Sequence, residues 1–101
     1  MIIGNCSLSL APVRKGTEER VQEFLSYVEA IPMDTLKTVN VTWESIAEYM
    51  DSLENRLGVN VGTLVGHTPV RHYVMGKDSQ GRIASTDEIE QMQGIVREGM
   101  R

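Results

Sequence analysis

Two short apolar runs that read as strands, Met1 to Ile3 and Val59 to Val65, stand far apart in the chain, and the residues between them follow helical spacing. Strands that alternate with helices pair in parallel through right-handed crossovers, which makes this an α/β architecture. A parallel sheet is normally covered on both faces, and two strands cannot build one. They supply two of the eight units of a closed (β/α)8 barrel. The expected order is strand, helix, helix, strand, helix: about two βα units of a TIM-barrel segment with an extra helix, occupying residues 1–101 as one unit.

Local signals fix the elements. Gly4-Asn5 is a turn-forming pair that stops the first strand, and the weak alternation of Cys6 to Ala11 breaks at Pro12. Thr17 is a plausible N-cap, with Glu18 and Glu19 in the favoured acidic first turn; Val21, Phe24, Leu25, Val28 and Ile31 then recur at helical spacing as far as Pro32. A short connection from Pro32 to Val41 leads to Thr42 as a second N-cap. Beyond it Ile46, Ala47, Met50, Leu53 and Leu57 share one face, and Gly58 is the expected stop. The second strand carries β-branched residues at alternate positions and delivers His67 at its C-terminal end, where Gly66 to Pro69 terminates it. Met75 to Gly81 reads as a polar loop. Ser85-Thr86-Asp87-Glu88 has the form of a capping box and opens a third helix that points Ile89, Met92, Ile95, Val96 and Met100 inward.

Composition removes several classes of partner. Ten basic against fourteen acidic side chains give a net charge of -4, and no run of Lys or Arg supplies the footprint of a nucleic-acid or anionic-membrane binder. The single cysteine, Cys6, forbids an intrachain disulfide and suits a reducing compartment. No segment approaches the roughly 20 apolar residues of a membrane span, and the first residues lack the form of a signal peptide. A soluble, cytoplasmic protein is expected.

Few residues can carry chemistry. Cys6 lies just past the end of the first strand, where α/β enzymes keep their working side chains; it is either a small buried hydrophobe or a thiolate acting as zinc ligand or nucleophile. His67 holds the matching place after the second strand, between Gly66 and Thr68, and is either satisfied by loop backbone or part of a site. His72 reads as a surface or loop-packing residue. One Cys and two His without CxxC, HxH or HExxH spacing fall short of a self-contained zinc site. Arg14 and Lys15 beside Gly16 read as a solvated loop, and Trp43 and Tyr49 as anchors of the second helix. The sequence has no phosphate-binding glycine loop, GxSxG elbow or dinucleotide fingerprint.

Taken as a string, Gly4-Asn5-Cys6 followed by Ser9-Leu10-Ala11-Pro12-Val13-Arg14 resembles the N-acyl-D-amino-acid deacylase (D-aminoacylase) branch of the amidohydrolase superfamily. Three further stretches agree in order: Ile31-Pro32 leading to Trp43-Glu44-Ser45 and Glu48-Tyr49-Met50; Val59-Asn60-Val61 to Leu64-Val65-Gly66-His67; and Val74-Met75-Gly76 followed by Thr86-Asp87-Glu88-Ile89 and Met92. The resemblance implies a zinc-dependent (β/α)8 barrel that hydrolyses N-acyl-D-amino acids. It places Cys6 where the family uses a thiolate to hold the catalytic zinc, and His67 near the active site as a substrate or supporting contact. Ser7 departs from the family's usual glycine. The family's His-x-His motif, its later zinc-binding histidines and its catalytic aspartate have no counterparts in this chain, so no catalytic residue is carried over. The resemblance thus implies an internal segment of such an enzyme, inactive alone and prone to self-association. The competing reading is a small non-enzymatic α/β interaction module that associates through strand edges and helix faces.

Overall fold

A computed structural model describes all 101 residues. Strand β1 (Ile2–Ile3) is followed by helices α1 (Glu18–Glu29), α2 (Met33–Lys37) and α3 (Ile46–Leu53), then by strand β2 (Gly62–Thr63). Helix α4 (His67–Met75), a 3-10 helix (Gly76–Gln80) and helix α5 (Thr86–Gly99) complete the chain. The two strands pair in parallel, Ile2 opposite Gly62 and Ile3 opposite Thr63, and three helices lie between them where the sequence predicts two. The protein is a helix-rich α/β fold with a small two-stranded parallel sheet.

The second strand is much shorter than Val59 to Val65, for a reason set by its partner. Gly4 takes a positive φ of 89° and turns β1 away after Ile3, so β2 finds ladder partners only at Gly62 and Thr63. The carbonyls of Met1 and Ile3 accept from the backbone N–H groups of Gly62 and Leu64, both at 2.9 Å. The N-terminal ammonium donates to the Asn60 carbonyl at 2.6 Å.

Helix boundaries follow side-chain caps more closely than apolar spacing. Ser45, rather than Thr42, caps α3: its hydroxyl accepts from the Glu48 N–H at 3.1 Å while the Glu48 carboxylate accepts from the Ser45 N–H at 3.0 Å. These bonds, with a further one from the Glu44 N–H, hold the Glu48 carboxyl below its usual range. The helix stops at Leu53 instead of Gly58, and Asn55 takes the left-handed conformation at φ 60°, which asparagine tolerates. The capping box at Ser85 and Glu88 forms as the sequence predicts. Arg82 grips Glu88 bidentately at 2.6 and 2.8 Å, and Glu88 is consequently pulled down to about 2. Thr17 starts α1 without capping it, because its hydroxyl donates to the Arg14 carbonyl at 2.7 Å.

The core is thin. Ala11, Ile46 and Tyr49 form its centre, with Ile3, Leu10, Trp43, Leu53, Val65 and Ile95 packed around them. Trp43 packs against Tyr49 with the rings tilted and their centroids 5.0 Å apart, and donates its indole N–H to the Leu10 carbonyl at 2.7 Å, tying the loop after β1 to α3. Val28, expected inward on α1, is 56% exposed, and Ile89 and Val96 on α5 are also largely open. The accessible surface is 6857 Å², against about 5,700 Å² for a typical folded chain of this mass. Removing the α3 cap by Ser45→Ala is expected to cost about 1 kcal/mol, lowering the melting temperature by about 4–8 °C in a chain this size; thermal unfolding followed by circular dichroism measures it.

Candidate functional site

Parallel strands point the same way, so the segments that leave them emerge at one end of the sheet. Cys6 follows β1 after the turn at Gly4-Asn5, and His67 follows β2 after Leu64-Val65-Gly66. His67 is the first residue of α4, not a residue of the strand itself. Pro69, read from the sequence as a terminator, instead sits in the first turn of this helix, where its missing N–H costs nothing.

The two segments are joined through their neighbours. The Ser7 hydroxyl accepts from the Thr68 N–H at 3.1 Å and lies 3.3 Å from the Thr68 hydroxyl, so a residue 61 positions away supplies the N-terminal cap that Gly66 cannot provide. Ser7 does this from a left-handed backbone at φ 66°, a conformation that favours glycine. Ser7 thus accepts backbone strain and gains a cap on α4. Gly66 makes the approach possible. A Cβ there would lie 2.6 Å from the Ser7 carbonyl oxygen and 3.1 Å from the Pro69 ring.

Cys6 is exposed, which sets aside the reading of a buried small hydrophobe. Its thiol lies 3.7 Å from Glu29 Oε1 at the end of α1 and 3.8 Å from the Leu8 carbonyl. His67 is also exposed and borders a cleft of about 220 Å³ with Phe24, Thr68, Arg71 and His72. Cys6 and His67 therefore share one end of the sheet without a hydrogen bond between them. No group of three or more His, Cys, Asp or Glu comes together. The thiol and the Glu29 carboxylate are fewer than the three or four protein ligands a zinc site takes, so these residues do not fit a complete site.

His72 departs most from its sequence reading. It is buried at 7% exposure and packs edge-on against Phe24, with ring centroids 6.2 Å apart. Its Nε2 has no hydrogen-bond partner, nor has the buried Nε of Arg20. Burial, reinforced by the nearby Arg20 charge, holds its pKa below the usual histidine value. The signal was present at Pro69, His72 and Met75, all buried at i, i+3 spacing on the inner face of α4, but Pro69 concealed the helix. On the other side of α4, Tyr73 donates to Glu44 Oε1 at 2.7 Å beneath the Arg14 guanidinium, 5.1 Å from the ring centroid. Arg14 lies in an exposed loop, as the sequence predicts, with its guanidinium over an aromatic face.

No family model matches the chain, and no solved structure matches it. An uncharacterized protein of Mycobacterium tuberculosis (strain ATCC 25618 / H37Rv) is 35% identical over 82 residues, and an uncharacterized protein of Mycobacterium bovis (strain ATCC BAA-935 / AF2122/97) matches to the same extent. Each match covers 77% of this chain and 13% of the relative. The chain thus spans about an eighth of the length of the curated relatives it matches. No helix is long and apolar enough to cross a membrane.

Two expectations follow from the site. Ser7→Ala, which loses the α4 cap and keeps the strained backbone, should cost about 1 kcal/mol; Ser7→Gly should cost only a few tenths, because glycine relieves the strain. Denaturant midpoints of the two variants give the order. Because His72 titrates lower in the folded chain than in the unfolded one, the unfolded state binds its proton first. Stability should fall as pH drops below about 6.5 and level off below the folded pKa. Melting temperatures across this window should show a flatter profile in His72→Phe.

Proposed function

We propose that this chain is a segment, of about two βα units, from the catalytic barrel of a zinc-dependent amidohydrolase resembling the N-acyl-D-amino-acid deacylases. In the complete enzyme Cys6 contributes one ligand to the metal and His67 contacts the substrate. The observation that carries this reading is the parallel pairing of β1 and β2, which brings Cys6 and His67 to the carboxyl end of one sheet. In barrels and open α/β sheets alike, working side chains gather at that end. The large difference in length between this chain and its curated relatives is in keeping with a segment. The reducing, cytoplasmic setting expected from the lone cysteine suits a working thiolate.

In the complete enzyme zinc would supply Lewis-acid chemistry for the hydrolysis of a non-peptide C–N bond. The residues of this chain do not complete such a site, so no step of that reaction is assigned to it alone. Its own contribution is positional. Ser7 and Gly66 clamp the loop bearing Cys6 onto the helix that begins at His67. The Glu29 carboxylate beside the thiol gives Cys6 a polar neighbour at the edge of the sheet.

Two assays test the reading. The isolated chain, incubated with zinc and N-acetyl-D-amino acids, should show no turnover; turnover that Cys6→Ala abolishes would contradict its being an incomplete segment. The full-length mycobacterial relatives should release free D-amino acid from the same substrates in a zinc-dependent reaction. Failure across a panel of N-acyl-D-amino acids would count against the deacylase assignment.

A further inference from the structure

We propose that the cleft beside the start of α4 binds a small oxyanion, the carboxylate or phosphate group of a soluble ligand. The site draws on α4, the 3-10 helix that follows it and one ring of α1, and it needs neither zinc nor amide chemistry. Three observations carry it.

The first is an unanswered polar atom in the wall. His72 lines the cleft at 7% exposure, and its Nε2 has no hydrogen-bond partner. Phe24, packed edge-on against the imidazole, offers no acceptor. An unpaired buried polar atom is costly, and a neutral imidazole with its proton on Nε2 would donate it to an anion oxygen. The second is a fixed, uncompensated charge. Arg71 donates from Nε to the Ser79 carbonyl and from Nη2 to the Arg82 carbonyl, both at 2.6 Å. These bonds hold the guanidinium in place without pairing it to a carboxylate, and its planar fork suits carboxylate and phosphate oxygens.

The third is the absence of competing acids. No Asp or Glu lines the cleft. Asp78, on the same 3-10 helix as Ser79, is engaged with Arg82 at 3.2 Å. Glu19 and Glu23 line a separate hollow that also touches His72, where Arg20 and Lys77 balance them. Helix α4 carries no acidic residue in its first turn, so nothing there offsets the positive end of its dipole. The cleft of about 220 Å³ is much larger than the roughly 30 Å³ share of one water. It has room for the charged group and part of the ligand that bears it, with the exposed His67 at its border.

Backbone amide NMR of the purified chain at pH 7 tests this, titrating with sodium phosphate and separately with sodium acetate at an ionic strength held constant by sodium chloride. Saturable shifts are expected at His67, Thr68, Arg71, His72, Ser79 and Gln80, with a millimolar dissociation constant. The salt that binds more tightly identifies the ligand's charged group. Arg71→Gln should weaken binding about tenfold, equivalent to the loss of one charged hydrogen-bonding group. Should that variant fail to fold, His67→Glu, at an exposed position, puts a carboxylate at the border of the cleft and should weaken binding to a similar degree. Arg56→Gln removes the same charge away from the cleft and should bind as the wild type does. No saturable shift with either salt, shifts that chloride reproduces, shifts spread over the whole surface, or an affinity unchanged by His67→Glu would each overturn the proposal. The titration contains neither zinc nor an amide substrate, so its failure leaves the deacylase reading standing.

Discussion

The parallel contact between β1 and β2 determines where everything else in the molecule points. It consists of very few backbone hydrogen bonds, among them those from Gly62 and Leu64 to the carbonyls of Met1 and Ile3. Each such bond contributes on the order of 1 kcal/mol net, while closing the long crossover between the strands costs conformational entropy. The ladder alone cannot hold this topology. It is locked from both sides by the Trp43 indole on the Leu10 carbonyl and by Ser7 capping α4, with Ala11, Ile46 and Tyr49 buried between. The strands set direction and the surrounding packing supplies stability.

That arrangement divides the protein into regions of different chemical character. The strands and their flanking loops are uncharged and leave large apolar side chains open to water, whereas α1, α3 and α5 carry much of the charge, and capping boxes open α3 and α5. At the carboxyl end of the strands, Cys6 and His67 stand exposed, and Gly66 lets the two loops come together there. The buried His72 lines the same cleft as His67, packs against Phe24 of α1 and has no hydrogen-bond partner for Nε2.

Much of this was legible in the sequence, for identifiable reasons. The Ser85–Glu88 capping box announced α5 because its two hydrogen bonds depend on a spacing of three residues. The same pattern at Ser45 and Glu48 was equally visible, but Thr42, lying closer to the end of the preceding connection, obscured it. The five-residue α2 is too short to display a helical period, and Pro32 ahead of it resembled a loop. Helix α4 was hidden by Pro69, although proline is at home in a first turn. The length of β2 depended on where Gly4 ends β1, a long-range constraint that local β-propensity does not carry. Ser7 was noticed only as a departure from a glycine; its hydroxyl meets Thr68 through the tertiary fold, and nothing nearby in the sequence reveals that contact.

The central claim is that the parallel sheet gathers the loop bearing Cys6 and the start of α4 into one site. Because Cys6 is the only cysteine, a nitroxide label can be attached to it without any substitution, and paramagnetic broadening of backbone amide resonances then reports proximity. The account predicts strong broadening at His67 and Thr68 and weaker broadening at Asn60, which meets the N-terminus at the other end of the sheet. Broadening at Asn60 equal to or greater than that at His67 and Thr68 would contradict it.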